Sequence, residues 1–266
     1  MEKRKNSMKL GFIGMGNMAK ALAKGFIGSG AIEAAQVLAY APNQEKLKTN
    51  ALEIGFCPVA SLKELAASAD LLIMACKPYQ IEGVLKEIGE DIKGKAIVSI
   101  AAGWDFTKYE TVLPEGVRVQ FVMPNTPAMV GEGVLLFEEK NTLTEEERAE
   151  VFRLFDSVGV VKELPTHLME IGSAVCGCAP AFVDMMIEAY GDAAVKYGMK
   201  RADAYELISQ MVLGSAKLQL QTGTHPGILK DNVCSPGGTT IRGVAALEEA
   251  GFRSACIYSV DAIMNR

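Results

Sequence analysis

From Lys9 to Phe137 the chain alternates short, continuously apolar runs with stretches at helical spacing, and near Leu164 that alternation stops. The runs are Lys9 to Ile13, Val37 to Ala41, Leu71 to Cys76, Ala96 to Ile100, Val117 to Met123 and Gly133 to Phe137, with a helical stretch from Val84 to Ile88 among them. A run that is apolar at successive positions has both faces buried, as strands have when helices cover both sides of a sheet. Strands alternating with helices predict an α/β fold with a doubly wound parallel sheet. Ligands of such sheets lie past the C-terminal ends of the strands, so the turns at those ends are the first place to look for chemistry.

The first turn is Ile13, Gly14, Met15, Gly16, Asn17, Met18, Ala19, between the first run and an amphipathic stretch through Leu22, Phe26 and Ile27. It fits G-x-G-x-x-A: Gly14 for the tight turn, Gly16 for close approach of a pyrophosphate, Ala19 for packing of helix on strand. The motif alone is weak, but the flanking strand and helix and the second run at Val37 make it a dinucleotide site. An NAD site ends its second strand, about 20 residues past the glycines, on a carboxylate that grips the ribose hydroxyls. Here the chain reads Tyr40, Ala41, Pro42, Asn43, Gln44. Without a carboxylate there is no repulsion against a 2′-phosphate, which predicts NADPH over NADH, with NADH still admissible. No arginine stands there; Asn43 with Lys46 or Lys48 would have to serve, although both lysines fit the solvated face of a helix equally well.

Three further turns fall at predicted strand ends: Ala75, Cys76, Lys77, Pro78; then Ala101, Ala102, Gly103; then Met123, Pro124, Asn125, Thr126, Pro127. Each taken singly is ordinary loop chemistry, but three on one sheet edge favour a site. Lys77 reads either as a snorkelling surface lysine or as a hydrogen-bond donor to cofactor ribose or phosphate.

Past Pro165 the pattern is helical. Ala181 to Gly198 puts Phe182, Met185, Met186, Ala189 and Ala193 on one stripe, and Ala202 to Leu220 carries another. These faces fit a core better than a cofactor box. In a domain of about 100 residues, however, helices so apolar cannot all be shielded within one copy, which points to a subunit interface. The boundary is placed at 164/165, giving domains 1–164 and 165–266.

Near the C-terminal end Ser235, Pro236, Gly237, Gly238, Thr239, Thr240 lead directly into a helical pattern. Pro236 fixes φ, the glycines let a ligand approach the backbone, and the hydroxyls stand where a helix's free N–H groups begin, which together suit a small carboxylate. An N-cap with a tight turn is the plainer reading. His225, before Pro226, reads first as a helix cap.

The formal charge of −5 argues against a nucleic-acid surface, which needs clustered Lys and Arg. The short basic start, Lys3, Arg4, Lys5, carries no function. It runs directly into a strand-like segment, unlike a cleavable leader. No stretch of about 18 residues is free of charge, so no membrane span is expected. The six cysteines, at 57, 76, 176, 178, 234 and 256, lack zinc-site spacing and have only two histidines to help, so no metal site is expected. Cys176 and Cys178 are too close for an ordinary bridge, consistent with reduced thiols in the cytoplasm.

On these residues the chain resembles the pyrroline-5-carboxylate reductases over nearly its whole length. Gly11 to Met18 is similar to that family's cofactor loop, Cys76, Lys77, Pro78 to its second cofactor turn, and Ser99 to Gly103 to its nicotinamide-side turn. Met123 to Pro127 agrees as well. The most specific part runs from His225, Pro226 and Gly227 through Leu229, Lys230, Asp231, Asn232 and Val233 to Ser235 and Thr240, then to Leu247 and Glu248.

The resemblance implies an N-terminal Rossmann domain followed by an all-helical dimerisation domain that interleaves with a partner's. It implies a homodimer or larger homo-oligomer whose active site lies between the cofactor of one subunit and helices of the dimer. The implied reaction reduces the cyclic imine 1-pyrroline-5-carboxylate to L-proline with NADPH. Ile13 to Met18, Ala41, Asn43, Ala75 to Pro78, Ala101 to Gly103 and Asn125 would bind cofactor, and Asn232, Ser235, Gly238, Thr239 and Thr240 the substrate. Thr240, against the ring nitrogen, and Ser235 are the catalytic candidates; Asn232 would align the turn or touch cofactor. One departure is local: the family's Ser-Gly-Ser-Gly-Pro reads Cys176, Gly177, Cys178, Ala179, Pro180 here.

Two rival readings are weaker. A 3-hydroxyacid dehydrogenase of the β-hydroxyacid type shares the Gly-rich loop but needs Lys on a G-x-x-x-K pattern followed by Asn. Here Gly191 precedes Lys196 by one residue too many, and Tyr197 and Gly198 follow. A non-catalytic NADP-binding module would have no use for the second anion turn.

Overall fold

The structure is a computed structural model describing residues 8–265. Lys3, Arg4 and Lys5, and with them the reading of the N-terminal start, lie outside those residues. The described residues form two compact units, dividing between Cys178 and Ala179.

The first unit is built on a sheet of eight strands: β1 Leu10–Ile13, β2 Val37–Tyr40, β3 Cys57–Pro58, β4 Leu71–Met74, β5 Ala96–Ser99, β6 Arg118–Met123, β7 Gly133–Asn141 and β8 Gly159–Leu164, in the order β3-β2-β1-β4-β5-β6-β7-β8. Six helices connect them: α1 Asn17–Gly28, α2 Gln44–Ile54, α3 Leu62–Ser68, α4 Ile81–Ile88, α5 Phe106–Glu110 and α6 Glu145–Asp156. Strand residues alternate between two cores. Leu71 and Ile73 join Phe26, Leu47 and Phe155 on one face, while Leu72 and Met74 join Leu65, Leu85 and Tyr109 on the other. That two-sided burial is why these strands read as unbroken apolar runs.

The sheet departs from the expected all-parallel one at a single pairing: β6 and β7 are antiparallel. Residues 124–132 between them hold only a short 3₁₀ turn, Thr126–Val130, too little chain for a helical crossover. β8 then returns parallel to β7 through α6. Two strands escaped the sequence reading. β3 is two residues long, and β8 alternates half-buried with exposed positions, as an edge strand does.

Helix starts follow local chemistry. Asn43, Ser61 and Asp105 accept from the amides of Lys46, Glu64 and Lys108, and Thr144 and Glu147 form a reciprocal capping box.

α7 Thr166–Gly172 and a π-helical turn, Ser173–Cys178, still belong to the first unit. Met169 packs with Phe121 and Leu136, and a Cβ on Gly172 would come within 2.7 Å of Leu136. The strand–helix alternation ends at Leu164, but the compact body runs on through these contacts.

The second unit comprises α8 Ala179–Lys196, α9 Arg201–Thr222, α10 Pro226–Asn232, α11 Thr239–Glu249 and α12 Phe252–Met264. α8 and α9 pack at Gly191, where a Cβ would meet the Tyr205 ring. Of this unit's helical residues only Gly191 and Ala204 are buried. By length and average composition alone, Thr166–Lys196 is long and apolar enough to cross a membrane, although Glu170, Asp184, Glu188, Asp192 and Lys196 interrupt it, so no charge-free stretch of about 18 residues occurs there, as expected.

Candidate active site

Four parallel strand ends, those of β2, β1, β4 and β5, are laced together at one edge of the first unit. Gly14 N–H donates to the Tyr40 carbonyl at 2.8 Å, Ala75 N–H to Ile13 at 2.9 Å, and Ile100 N–H to Met74 at 3.0 Å. Beyond these bonds opens a cleft of about 970 Å³, at the β1/β4 switch point where strand order reverses.

The two glycines of the first turn do different work. Gly14 has φ +98°, and a Cβ there would lie 2.8 Å from the Ala75 carbonyl oxygen. Both the left-handed backbone and the close approach require glycine. Gly16 has ordinary φ (−78°) and nothing within 4 Å of a Cβ, so the protein itself leaves that space open. Gly16 is also the N-cap of α1, with no side-chain cap and no acidic residue in the first turn. A helix N-terminus facing free space, with its amides unclaimed, suits a pyrophosphate.

The sequence-predicted residues gather here. Ile13 to Met18, Ala41 and Asn43, Ala75 to Pro78, and Ala101 with Ala102 all line the cleft. So do Lys46, Gln80 and Glu87, and of these Gln80 and Glu87 escaped the sequence reading; they sit on turn and helix with no motif to mark them. Lys46 lines it and Lys48 does not. Gly103 and Asn125 do not line it. The Asn125 side chain is buried, donating to the Cys176 carbonyl at 3.0 Å and accepting from Val134 N–H at 2.8 Å. Its amide thus ties the β6–β7 turn to the π-helical turn. The Asn43 side-chain oxygen is engaged with Lys46 N–H at 2.9 Å, leaving its NH₂ group.

No carboxylate closes β2, and Lys46 faces the cleft beside Asn43. Burial, only partly opposed by its own backbone hydrogen bond, pushes the Cys76 thiol up to about 11, so the cleft wall there is neutral at pH 7. These features fit a dinucleotide carrying a 2′-phosphate.

In the second unit, His225 Nδ1 accepts from Gly227 N–H at 3.1 Å and caps α10, the structural role expected of it. After Asn232 ends α10, Gly237 takes φ +69° and Gly238 N–H donates to the Ser235 carbonyl at 3.0 Å. A Cβ on Gly238 would collide with Ser235 Oγ. Gly238 is the N-cap of α11, again without a side-chain cap or a first-turn acid. Ser235, Gly238, Thr239 and Thr240 therefore come together around a helix N-terminus.

A Rossmann sheet with a Gly-rich first turn, an open space at the N-terminus of α1 and no carboxylate at the end of β2 defines an NADP-binding oxidoreductase. Residues 9–103 match the family model described as NADP oxidoreductase, coenzyme F420-dependent, and residues 166–266 match that of pyrroline-5-carboxylate reductase dimerisation. The chain is 41% identical over 262 residues to the pyrroline-5-carboxylate reductase of Treponema pallidum, covering 97% of this chain and 99% of that one. With the Escherichia coli enzyme of the same name it shares 41% over 259 residues, 97% and 96% of the two chains. The crystal structure of Plasmodium falciparum pyrroline carboxylate reductase with NADP bound superposes with a TM-score of 0.87 at 32% identity, covering 96% of this chain and 95% of that one. The chain belongs to the pyrroline-5-carboxylate reductase family.

Proposed function

We propose that this chain reduces 1-pyrroline-5-carboxylate to L-proline with NADPH, the last step of proline biosynthesis. The observation that carries the reading is the pairing, in one chain of this family, of a dinucleotide cleft with no carboxylate at the end of β2 and the glycine-lined turn before α11.

The Gly14–Met18 turn, Ala41 to Asn43, Ala75 to Pro78, the Ala101–Gly103 turn and the main chain of Asn125 would hold NADPH, which would supply the hydride. Lys46, beside the Asn43 NH₂ group, is the cation for the 2′-phosphate. The Ser235 hydroxyl and the amides of Gly238, Thr239 and Thr240 hold the substrate carboxylate, each charge-assisted bond contributing about 1.5–3 kcal/mol. Asn232 aligns that turn. Thr240 donates to or accepts from the ring nitrogen. With hydride delivered to the imine carbon, the C=N π pair would move to nitrogen and a proton from solvent would complete the amine of proline. The protein's own part is orientation and charge, with reacting atoms held about 3–3.5 Å apart.

The dimerisation-family match and the uncovered α8, α9 and α12 faces support a homodimer or larger homo-oligomer. Residence in the cytoplasm belongs to the same reading, its support being six free thiols. So does the division of labour between a cofactor domain up to Leu164 and a helical domain from Pro165.

The test is loss of reduced-nicotinamide absorbance on adding pyrroline-5-carboxylate. Loss with a 3-keto acid instead would transfer the chain to the hydroxyacid dehydrogenases, and loss with neither would leave a binding module.

A further inference from the structure

Glu138, in β7, is the one charged side chain among the fully enclosed polar residues of the described chain. Among those residues no cation pairs with it, and neither the dinucleotide motif nor the anion turn involves it. A carboxylate removed from water is retained only where hydrogen bonds replace that water, and both its oxygens are used. Oε2 accepts from Phe106 N–H at 2.8 Å, and Oε1 accepts from the Thr166 hydroxyl at 2.6 Å. Its backbone is fixed as well, because Gln120 Nε2 donates to the Glu138 carbonyl at 2.8 Å.

Phe106 opens α5 directly after the turn from Ala101 to Asp105, whose first residues line the cofactor cleft. The other end of that turn is also held from below. Ser99 Oγ accepts from Ala101 N–H at 3.3 Å and from the Tyr109 hydroxyl at 2.8 Å, both side chains being buried. Tyr109 in turn packs against Trp104, ring centroids 5.2 Å apart. The turn is therefore bracketed: Ser99 and Tyr109 at its start, Glu138 at its exit. Glu138 alone reaches beyond the bracket, to Thr166 at the start of α7.

We propose that Glu138 is a positioning residue for the cofactor: its buried carboxylate sets the Ala101–Asp105 turn by holding Phe106 N–H, and is itself aimed by the Thr166 hydroxyl. The proposal rests on the reading of the cleft as the NADPH site. Loss of Glu138 frees the exit of the turn, so NADPH binds to a wider set of backbone states while the anion turn before α11 is untouched.

The experiment compares full-length wild type, Glu138→Gln, Glu138→Ala and Thr166→Val by NADPH titration, by KM for each substrate and by thermal unfolding. Gln keeps an acceptor for Phe106 N–H and a group that bonds the Thr166 hydroxyl, so it should stay within about threefold of wild type in NADPH Kd, roughly 0.65 kcal/mol. Glu138→Ala should raise NADPH Kd and KM about tenfold, with KM for the imine within about twofold. Thr166→Val, nearly isosteric, should raise NADPH Kd about threefold, and decides the matter alone if Glu138→Ala does not fold. The proposal is overturned if Glu138→Ala melts earlier yet binds NADPH like wild type. It is equally overturned if Gln is as impaired as Ala, or if Thr166→Val binds NADPH unchanged. Failure of wild type itself to bind NADPH would instead remove the reading of the cleft.

Discussion

Gly14 and Gly16 sit two residues apart in the same motif and should answer mutation in opposite ways. Gly14→Val combines a φ of +98° with a Cβ 2.8 Å from the Ala75 carbonyl oxygen, so it should lower the melting temperature sharply or prevent folding. At Gly16 a Cβ meets no protein atom within 4 Å and the backbone is ordinary, so Gly16→Val should melt like wild type yet raise KM for NADPH at least about tenfold, about 1.4 kcal/mol. A Gly16→Val enzyme with unchanged KM would show that the pyrophosphate lies elsewhere. At the anion turn, Thr240→Ala should lower turnover about 10- to 100-fold, in line with about 1.4–2.8 kcal/mol for one lost bond. Full turnover at both low and saturating imine would take Thr240 out of the mechanism. Residue types and spacing announce these positions. They do not announce Glu138, nor the inward turn of the Asn125 side chain, because a buried amide or carboxylate is defined by partners that local spacing does not reveal.

At the scale of elements, caps and polar braces decide where helices begin and how they dock. Arg118 grips Glu147 in two bonds, Nε to Oε2 at 2.7 Å and NH2 to Oε1 at 2.6 Å, fastening the start of α6 to β6, and its NH2 group also donates to the Gly94 carbonyl at 2.6 Å. Burial alone would raise the Glu147 pKa, but the hydrogen bonds from Arg118 and from Thr144, with the guanidinium charge, hold it below its ordinary value of 4.5. A depressed carboxyl pKa contributes stability above the unfolded-state value, and that contribution is lost as pH falls through the folded-state value. Urea unfolding should therefore weaken below about pH 4.5 more steeply in wild type than in Glu147→Gln, which has no such proton to take up. Parallel pH profiles would remove the pair from acid stability. The caps of α2, α3 and α5 were each present in the sequence as Asn, Ser or Asp ahead of a helical pattern. The reversal at β7 was not, since strand direction depends on whether the connection can cross the sheet, and apolar runs look alike in either direction.

Among the described residues, one unit has filled cores on both faces of its sheet and the other has almost nothing buried. Met185, Leu207, Met211, Ile257 and Tyr258 are all at least half exposed in the second unit. A set of helices so uncovered needs a partner surface, and in this family the second copy is the natural one. Sedimentation at micromolar concentration should find a dimer or larger assembly. The double variant Met211→Glu, Ile257→Glu should dissociate it and abolish turnover while the cofactor cleft still binds NADPH. A stable wild-type monomer would defeat this account. The same uncovered faces explain why Thr166–Lys196 resembles a membrane span by composition: apolar side chains waiting for protein and for lipid have the same chemistry.

Sequence alone determined what depends on local pattern: the strand–helix alternation, the glycines of the turns before α1 and α11, the missing acid after β2 and the apolar helices past Pro165. Each of these follows from backbone freedom, charge or periodicity over a few residues. Only the tertiary structure decided which of those residues share a cleft and which are spent inside the protein. It separated Lys46 from Lys48, turned Asn125 inward, reversed β7, extended the first unit to Cys178 and joined Glu138 to Phe106 and Thr166. Those outcomes depend on distance in space between groups remote in the chain, and no local pattern encodes such a distance.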